Sequence, residues 1–187
     1  MKTKIFIMLM VCMSTIPLVA SNKIIGTMIQ IDVNERVERA TGYFKAGYNC
    51  AQAVAMAYND IMEMSVEEVA KITAPFGGGM GRMREVCGTV SGMAFVAGAI
   101  SPAVDPSNLE ERKANYALVQ HFADAFRAEN GDIVCRRCLG LEPMVERAET
   151  PMPSERTAEY YKKRPCEELV GISARIVGEK IKSLLNL

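Results

Sequence analysis

From residue 33 onward the apolar positions recur at helical spacing. Val33, Val37, Ala40 and Phe44 form one stripe, which Gly42 and Gly47 interrupt. Asn49 is a good N-cap, and Ala51, Val54, Ala55 and Tyr58 begin a second stripe. Ser65-Val66-Glu67-Glu68 has the form of a capping box, so it predicts a third helix with Val66, Val69, Ala70 and Thr73 inward. Gly77-Gly78-Gly79-Met80-Gly81 ends that helix. Val86 to Ile100 is apolar on nearly every face and rich in small residues, among them Gly88, Ser91, Gly92, Ala97 and Gly98. It is too short and too small-residue-rich to span a bilayer comfortably, and reads as a buried helix that its neighbours approach closely.

Ser107-Asn108-Leu109-Glu110 is a second capping box. It opens a long amphipathic helix with Leu118, Val119, Phe122 and Phe126 on one face and Gly131 as its stop. Asp132 caps a short helix through Cys135 and Cys138. Residues 141–164 carry Pro143, Pro151 and Pro153 among charged residues, the composition of a surface loop or lid. Pro165 suits the first turn of a last helix whose stripe is Leu169, Ile172, Ile176, Ile181 and Leu184. No segment alternates with period two. The expectation is an all-α, single-domain helical bundle around a buried, small-residue-rich central helix.

The first 27 residues stand apart. Lys2 and Lys4 precede the apolar run Ile5 to Met13, Leu18-Val19-Ala20 offers a cleavage site, and Asp32 is the first acidic residue. That is the layout of a secretory signal peptide, and an exported mature protein with no integral membrane span follows from it. The rival reading starts translation at Met28 and leaves a cytoplasmic product. Without Lys2, Lys4 and Lys23, the 22 basic residues fall to 19 against 22 acidic. Either way residues 28–187 form the working domain. The whole chain of 187 residues carries 22 basic and 22 acidic side chains, which excludes a dedicated nucleic-acid binder: that role needs a basic field to displace counterions.

Six cysteines and one histidine restrict the chemistry further. A single His excludes multi-His metal sites and leaves Cys as the soft ligand or nucleophile set. On the predicted helices, Cys50 follows the cap Asn49, Cys87 lies just after the glycine loop, Cys135 is three residues past Asp132, and Cys166 follows Pro165. All four sit near helix N-termini, where unpaired N–H groups favour an anion and lower a thiol pKa. Arg84, Arg136 and Arg164 lie close in sequence to three of them.

These residues match a known pattern. Tyr48-Asn49-Cys50-Ala51-Gln52, Phe76 to Arg82, Glu85-Val86-Cys87-Gly88-Thr89, Asn130 to Arg136 and Pro165-Cys166 resemble the C_GCAxxG_C_C family of small bacterial redox-active proteins, over roughly residues 34–180. The resemblance places the four family cysteines on Cys50, Cys87, Cys135 and Cys166, and implies redox function and a bound iron–sulfur cluster. Thr89 stands where the family has Ala, and Cys138 is extra to the pattern.

Three mechanisms compete. In the first, Cys50, Cys87, Cys135 and Cys166 ligate an iron–sulfur cluster for electron transfer to a redox partner protein. Gly77, Gly78, Gly79 and Gly81 form a nest of N–H groups behind the sulfurs, and Arg84 and Arg136 supply nearby charge. In the second, thiol–disulfide exchange uses Cys135 and Cys138, a C-x-x-C around two arginines, or pairs of the four family cysteines. In the third, disulfides or zinc staple a structural helical module, although ligands dispersed at 50, 87, 135 and 166 suit zinc poorly. His121 reads as a surface histidine, and Met80, Met83 and Met93 as core filling rather than thioether ligands.

Overall fold

Helix α1 (Val33–Lys45) begins where the Asp32 carboxylate accepts from the N–H groups of Asn34 and Glu35, and it buries Ala40 and Phe44. Gly42 lies inside this helix and does not break it; the chain turns at Gly47, whose φ is +102°. In the computed structural model, residues 31–141 and 150–185 are described. The leader-like residues 1–27 lie outside them. The helices belong to one unit, Ile31–Leu187.

Helix α2 (Cys50–Met56) starts with the predicted cap. Asn49 accepts from Ala51 and Gln52, and Gln52 accepts back from the Asn49 N–H. Its sequence is mostly alanine and valine, and burial is complete from Ala53 through Tyr58. Tyr58 follows its C-terminus and donates its hydroxyl to Ala174 O at 2.6 Å. Arg36 crosses from α1 to the same end, donating to Ala57 O at 2.7 Å and to both Asp60 oxygens. Helix α3 (Val66–Thr73) carries the Ser65/Glu68 capping box and passes into a 3₁₀ turn, Ala74–Phe76.

The small-residue helix is α4 (Gly88–Ile100). A Cβ on Gly92 would meet Ala51 O at 2.8 Å, and one on Gly88 would meet Cys50 Cβ at 3.2 Å. Bare glycines are therefore what lets α4 lie directly on α2. Helix α5 (Leu109–Asn130) buries Leu118, Phe122 and Phe126 and stops at Gly131, φ +79°. Its cap is Asn108 rather than Ser107, because Ser107 donates its N–H and hydroxyl to Asp105.

The short helix α6 (Cys135–Cys138) has Val134 at its cap position. Asp132 instead accepts from the Val134 N–H at 2.8 Å and pairs with Arg137. The proline-rich stretch is not all loop: Thr157 caps a helix α7 (Ala158–Lys163). Helix α8 (Cys166–Leu185) begins one residue after Pro165, whose carbonyl accepts from the Leu169 N–H. It packs against α1, α2, α4 and α5. Its buried face is wider than the predicted stripe: Val170, Ser173, Ala174, Val177 and Gly178 are buried, whereas Leu184 is exposed. No strand forms among the described residues, only an isolated antiparallel bridge between Val86 and Val134. The fold is all-α, and no helix of the described residues is long and apolar enough to cross a membrane.

Candidate functional site

The loop between the 3₁₀ turn and α4 builds the first half of the site. Gly78, Gly79, Met80, Gly81, Arg82 and Arg84 all have positive φ. For the three non-glycine residues that costs on the order of 1 kcal/mol or more each, and such cost persists only where the surroundings enforce it. Here the loop's own hydrogen bonds do so: Gly81 N–H donates to Pro75 O, Arg84 N–H to Gly78 O and Glu85 N–H to Gly79 O. The chain then straightens and pairs with the segment leaving α5. Cys87 N–H donates to Ile133 O at 2.7 Å, and Cys135 N–H to Glu85 O at 2.6 Å. This short ribbon sets Cys87 beside the start of α6. Gly79 packs against it so tightly that a Cβ there would sit 2.7 Å from Cys135 Cβ.

Cys50 and Cys166 form the second half, at the first residues of α2 and α8. The close contact of Gly88 with Cys50 carries the start of α2 to the start of α4. Each cysteine of the family quartet thus lies at a helix N-terminus, with Cys87 as the cap residue of α4 and the other three at first helical positions.

All five described cysteines are free thiols, and they interact in pairs. Cys50 interacts directly with Cys166, and Cys138 with Cys87. In the first pair, the bond to Cys166 and burial push the Cys50 thiol well up; Cys166 is held below its ordinary value by the bond from Cys50, against the cost of burial and helped by Arg164 and Arg156. In the second pair, Cys87 is lowered to about 6 by the Cys138 thiol, against burial, and by the Thr89 hydroxyl and the N–H groups of Thr89 and Val90. Its Sγ lies 3.3 Å from Thr89 Oγ1. Cys138 is pushed up by its contact with Cys87, with burial adding to the shift; its S–H also donates to Asp132 O at 3.3 Å, so Asp132 O and Cys87 compete for one proton. In each pair one thiol, Cys166 or Cys87, is shifted down and its partner is shifted up.

Cys135 belongs to neither pair. Burial and the Cys87 charge raise it to about 11, although Arg84 acts in the opposite sense. Placement at a helix start therefore does not lower all four thiols. Burial and proton sharing decide which of them ionise. Cys138 interacts most strongly with Cys87, and more weakly with the Cys135 of its own C-x-x-C. The pairs still feel one another: Cys87 and Cys135 act on Cys50, and Cys87 acts on Cys166.

Of the arginines expected nearby, Arg84 is buried and bonds Cys135, whereas Arg136 pairs with Glu85 at 2.7 Å. Arg164 stacks on Tyr160 and favours the Cys166 thiolate. Arg156 was not anticipated from the sequence. It stacks on Phe44 and Tyr160 and also favours that thiolate. It comes from the proline-rich stretch, where only its place ten residues before Cys166 was visible. A cavity of about 400 Å³ opens beside the pair, with Cys50, Cys135 and Cys166 in its wall and Gly77, Gly78 and Gly81 along one side. His121 is exposed, Met93 is core, and Met80 and Met83 are exposed.

The chemistry of the donors suits a cluster, since thiolates are its ligands. Among the described residues, however, no three His, Cys, Asp or Glu side chains group closely enough to hold a metal ion.

An all-α fold that gathers interacting thiols has the groups that redox chemistry needs. The family described as "Putative redox-active protein (C_GCAxxG_C_C)" matches residues 48–180, and the chain belongs to it. Comparison with curated proteins and with solved structures returned no match.

Proposed function

We propose that the protein is a thiol–disulfide redox protein with two dithiol pairs, Cys50–Cys166 and Cys87–Cys138. The observation that carries this reading is that the thiols meet two by two, with one member of each pair shifted toward the thiolate and the other away from it. The thiolate is the nucleophile of disulfide exchange, and a neighbouring thiol resolves the mixed disulfide. Cys166 attacks one sulfur of an incoming disulfide and forms a mixed disulfide, and the first thiolate leaves. Cys50 gives its proton to that leaving group and attacks Cys166, and the second thiolate leaves. Two electrons pass from the dithiol to the substrate, and the protein retains a Cys50–Cys166 bond. Cys87 and Cys138 undergo the same change, and their position beside the first pair suits them to pass electrons to it. A dithiol redox partner restores the reduced state.

A second reading is an iron–sulfur electron carrier, favoured by the meeting of four helix N-termini bearing Cys50, Cys87, Cys135 and Cys166. A bound cluster would supply one-electron transfer there. Anaerobic purification of the full chain, with a visible spectrum and iron and sulfide assays, separates the two. The dithiol reading expects a colourless protein in which four of the six thiols disappear reversibly in disulfide redox buffers. Colour with stoichiometric iron and sulfide overturns it.

A further inference from the structure

We propose that the cavity beside Cys50 and Cys166 binds a low-molecular-weight disulfide bearing carboxylates, which makes this the substrate-facing pair. The inference rests on the dithiol reading and adds to it the class of substrate. The 400 Å³ space is lined by Arg82, Arg84, Arg156 and Arg164, and by no Asp or Glu among the described residues. Its volume is in the range of small-ligand sites, about 300–1,000 Å³. Pro151, Pro153 and Leu139 supply apolar wall, and sulfur is the reactive group exposed to it. Cys87 and Cys138 do not line it.

Two of the lining arginines, Arg156 and Arg164, differ from the arginines that are held in ion pairs. Arg36, Arg127, Arg136, Arg137 and Arg175 each pair with a carboxylate. Among the described residues Arg156 has no such partner. Its Nη2 donates to Tyr48 O at 3.2 Å, its buried Nη1 has no hydrogen-bond partner, and its guanidinium lies 4.6 Å over Phe44 and 4.7 Å over Tyr160. Arg164 lies 4.8 Å from the Tyr160 ring centroid. Aromatic stacking fixes both charges at the cavity wall, with no carboxylate paired to either among the described residues. Anionic ligands would supply the missing negative charge, and Arg presents the planar fork that carboxylates match.

The charge of the substrate is diagnostic. A thiolate alone repels an anionic disulfide and attracts a cationic one, so a preference for the anion has to come from the arginines. The step balances as described above: the S–S bond of the substrate breaks, the Cys50–Cys166 bond forms, and two carboxylate-bearing thiols leave.

The test uses the full reduced chain and three small disulfides of similar size: dithiodiglycolate (anionic), 2-hydroxyethyl disulfide (neutral) and cystamine (cationic). Formation of the Cys50–Cys166 disulfide is followed by mass spectrometry, and Cys50→Ser traps the mixed disulfide on Cys166. The expected result is an anionic rate above the neutral one by on the order of tenfold, with cystamine slowest. That ratio collapses near 1 M salt, where the Debye length is about 3 Å. Arg156→Gln lowers the anionic-to-neutral ratio several-fold, and Arg156→Lys restores most of it. Circular dichroism on both variants checks that they fold, and the salt dependence of the native chain tests the charge effect without substitution. Equal rates, or a preference for cystamine, overturn the inference while leaving the dithiol chemistry standing. If no probe yields the Cys50–Cys166 disulfide in the native chain or an adduct on Cys166 in Cys50→Ser, both fail.

Discussion

Replacing Cys138 with alanine removes the group that most lowers the Cys87 pKa. In the native protein four donors stabilise the Cys87 thiolate: the Cys138 thiol, the Thr89 hydroxyl at 3.3 Å, and the N–H groups of Thr89 and Val90. The Cys138→Ala variant keeps the last three. A hydrogen bond to a charged group contributes about 1.5–3 kcal/mol, and one pKa unit corresponds to about 1.4 kcal/mol. The loss of one donor therefore raises the Cys87 midpoint by about one to two units from its value of about 6. Cys138→Ser keeps a donor in place and shifts it less. Because Cys87 is only 4% exposed, reagent access would confuse an alkylation assay. The Cys87 ¹³Cβ resonance followed across pH reads the same ionisation without needing access. An unchanged midpoint in the alanine variant would show that Cys87 and Cys138 do not share a proton, and the second pair would be lost.

Three further outcomes are expected. Cys135→Ala leaves both proposed disulfides able to form, because Cys135 is raised to about 11 and is protonated at neutral pH; thiol counting under oxidising conditions checks this. Gly79→Ala destabilises the fold by on the order of 2–4 kcal/mol, since alanine there combines a φ of +72° with Cβ contacts of 2.7 Å to Cys135 and 2.8 Å to the Glu85 nitrogen, and a fall in Tm reports it. Burial disfavours the Asp60 carboxylate, but the bonds and charge of Arg36 outweigh this and lower its pKa. The stability it contributes is present above the unfolded pKa, near 4, and is lost as pH falls through the lower folded value. Asp60→Asn accordingly costs roughly 1–2 kcal/mol at neutral pH, discounted because the carboxylate is 47% exposed, and flattens the acid limb of a denaturation series.

What the sequence revealed and what it concealed divide along the range of the interactions. Asn49 and Ser65 were legible as caps because a capping box is closed within four residues. Ser107 misled because Asp105, two residues upstream, competes for its hydroxyl. Helix α7 was hidden by the density of prolines around it, since pattern reading weighs Pro151 and Pro153 more heavily than a single Thr157 cap. At the site, the positions of the four family cysteines at helix starts could be read from caps and turns. Which thiols meet could not. The Cys87–Cys138 contact depends on the ribbon between residues 84–87 and 133–136, and the Cys50–Cys166 contact on how α2 and α8 pack. Reasoning from helix termini alone lowered every thiol. The structure raises three of the five, because burial and shared protons outweigh a helix start.

The pairing of the thiols is tested most directly by mapping disulfides in the full chain after stepwise oxidation, using proteolysis and mass spectrometry without reduction. The structure predicts cross-links of Cys50 to Cys166 and of Cys87 to Cys138, with Cys135 left as a thiol. A Cys135–Cys138 link as the main product, or iron-bound cysteines that form no disulfide, would contradict it.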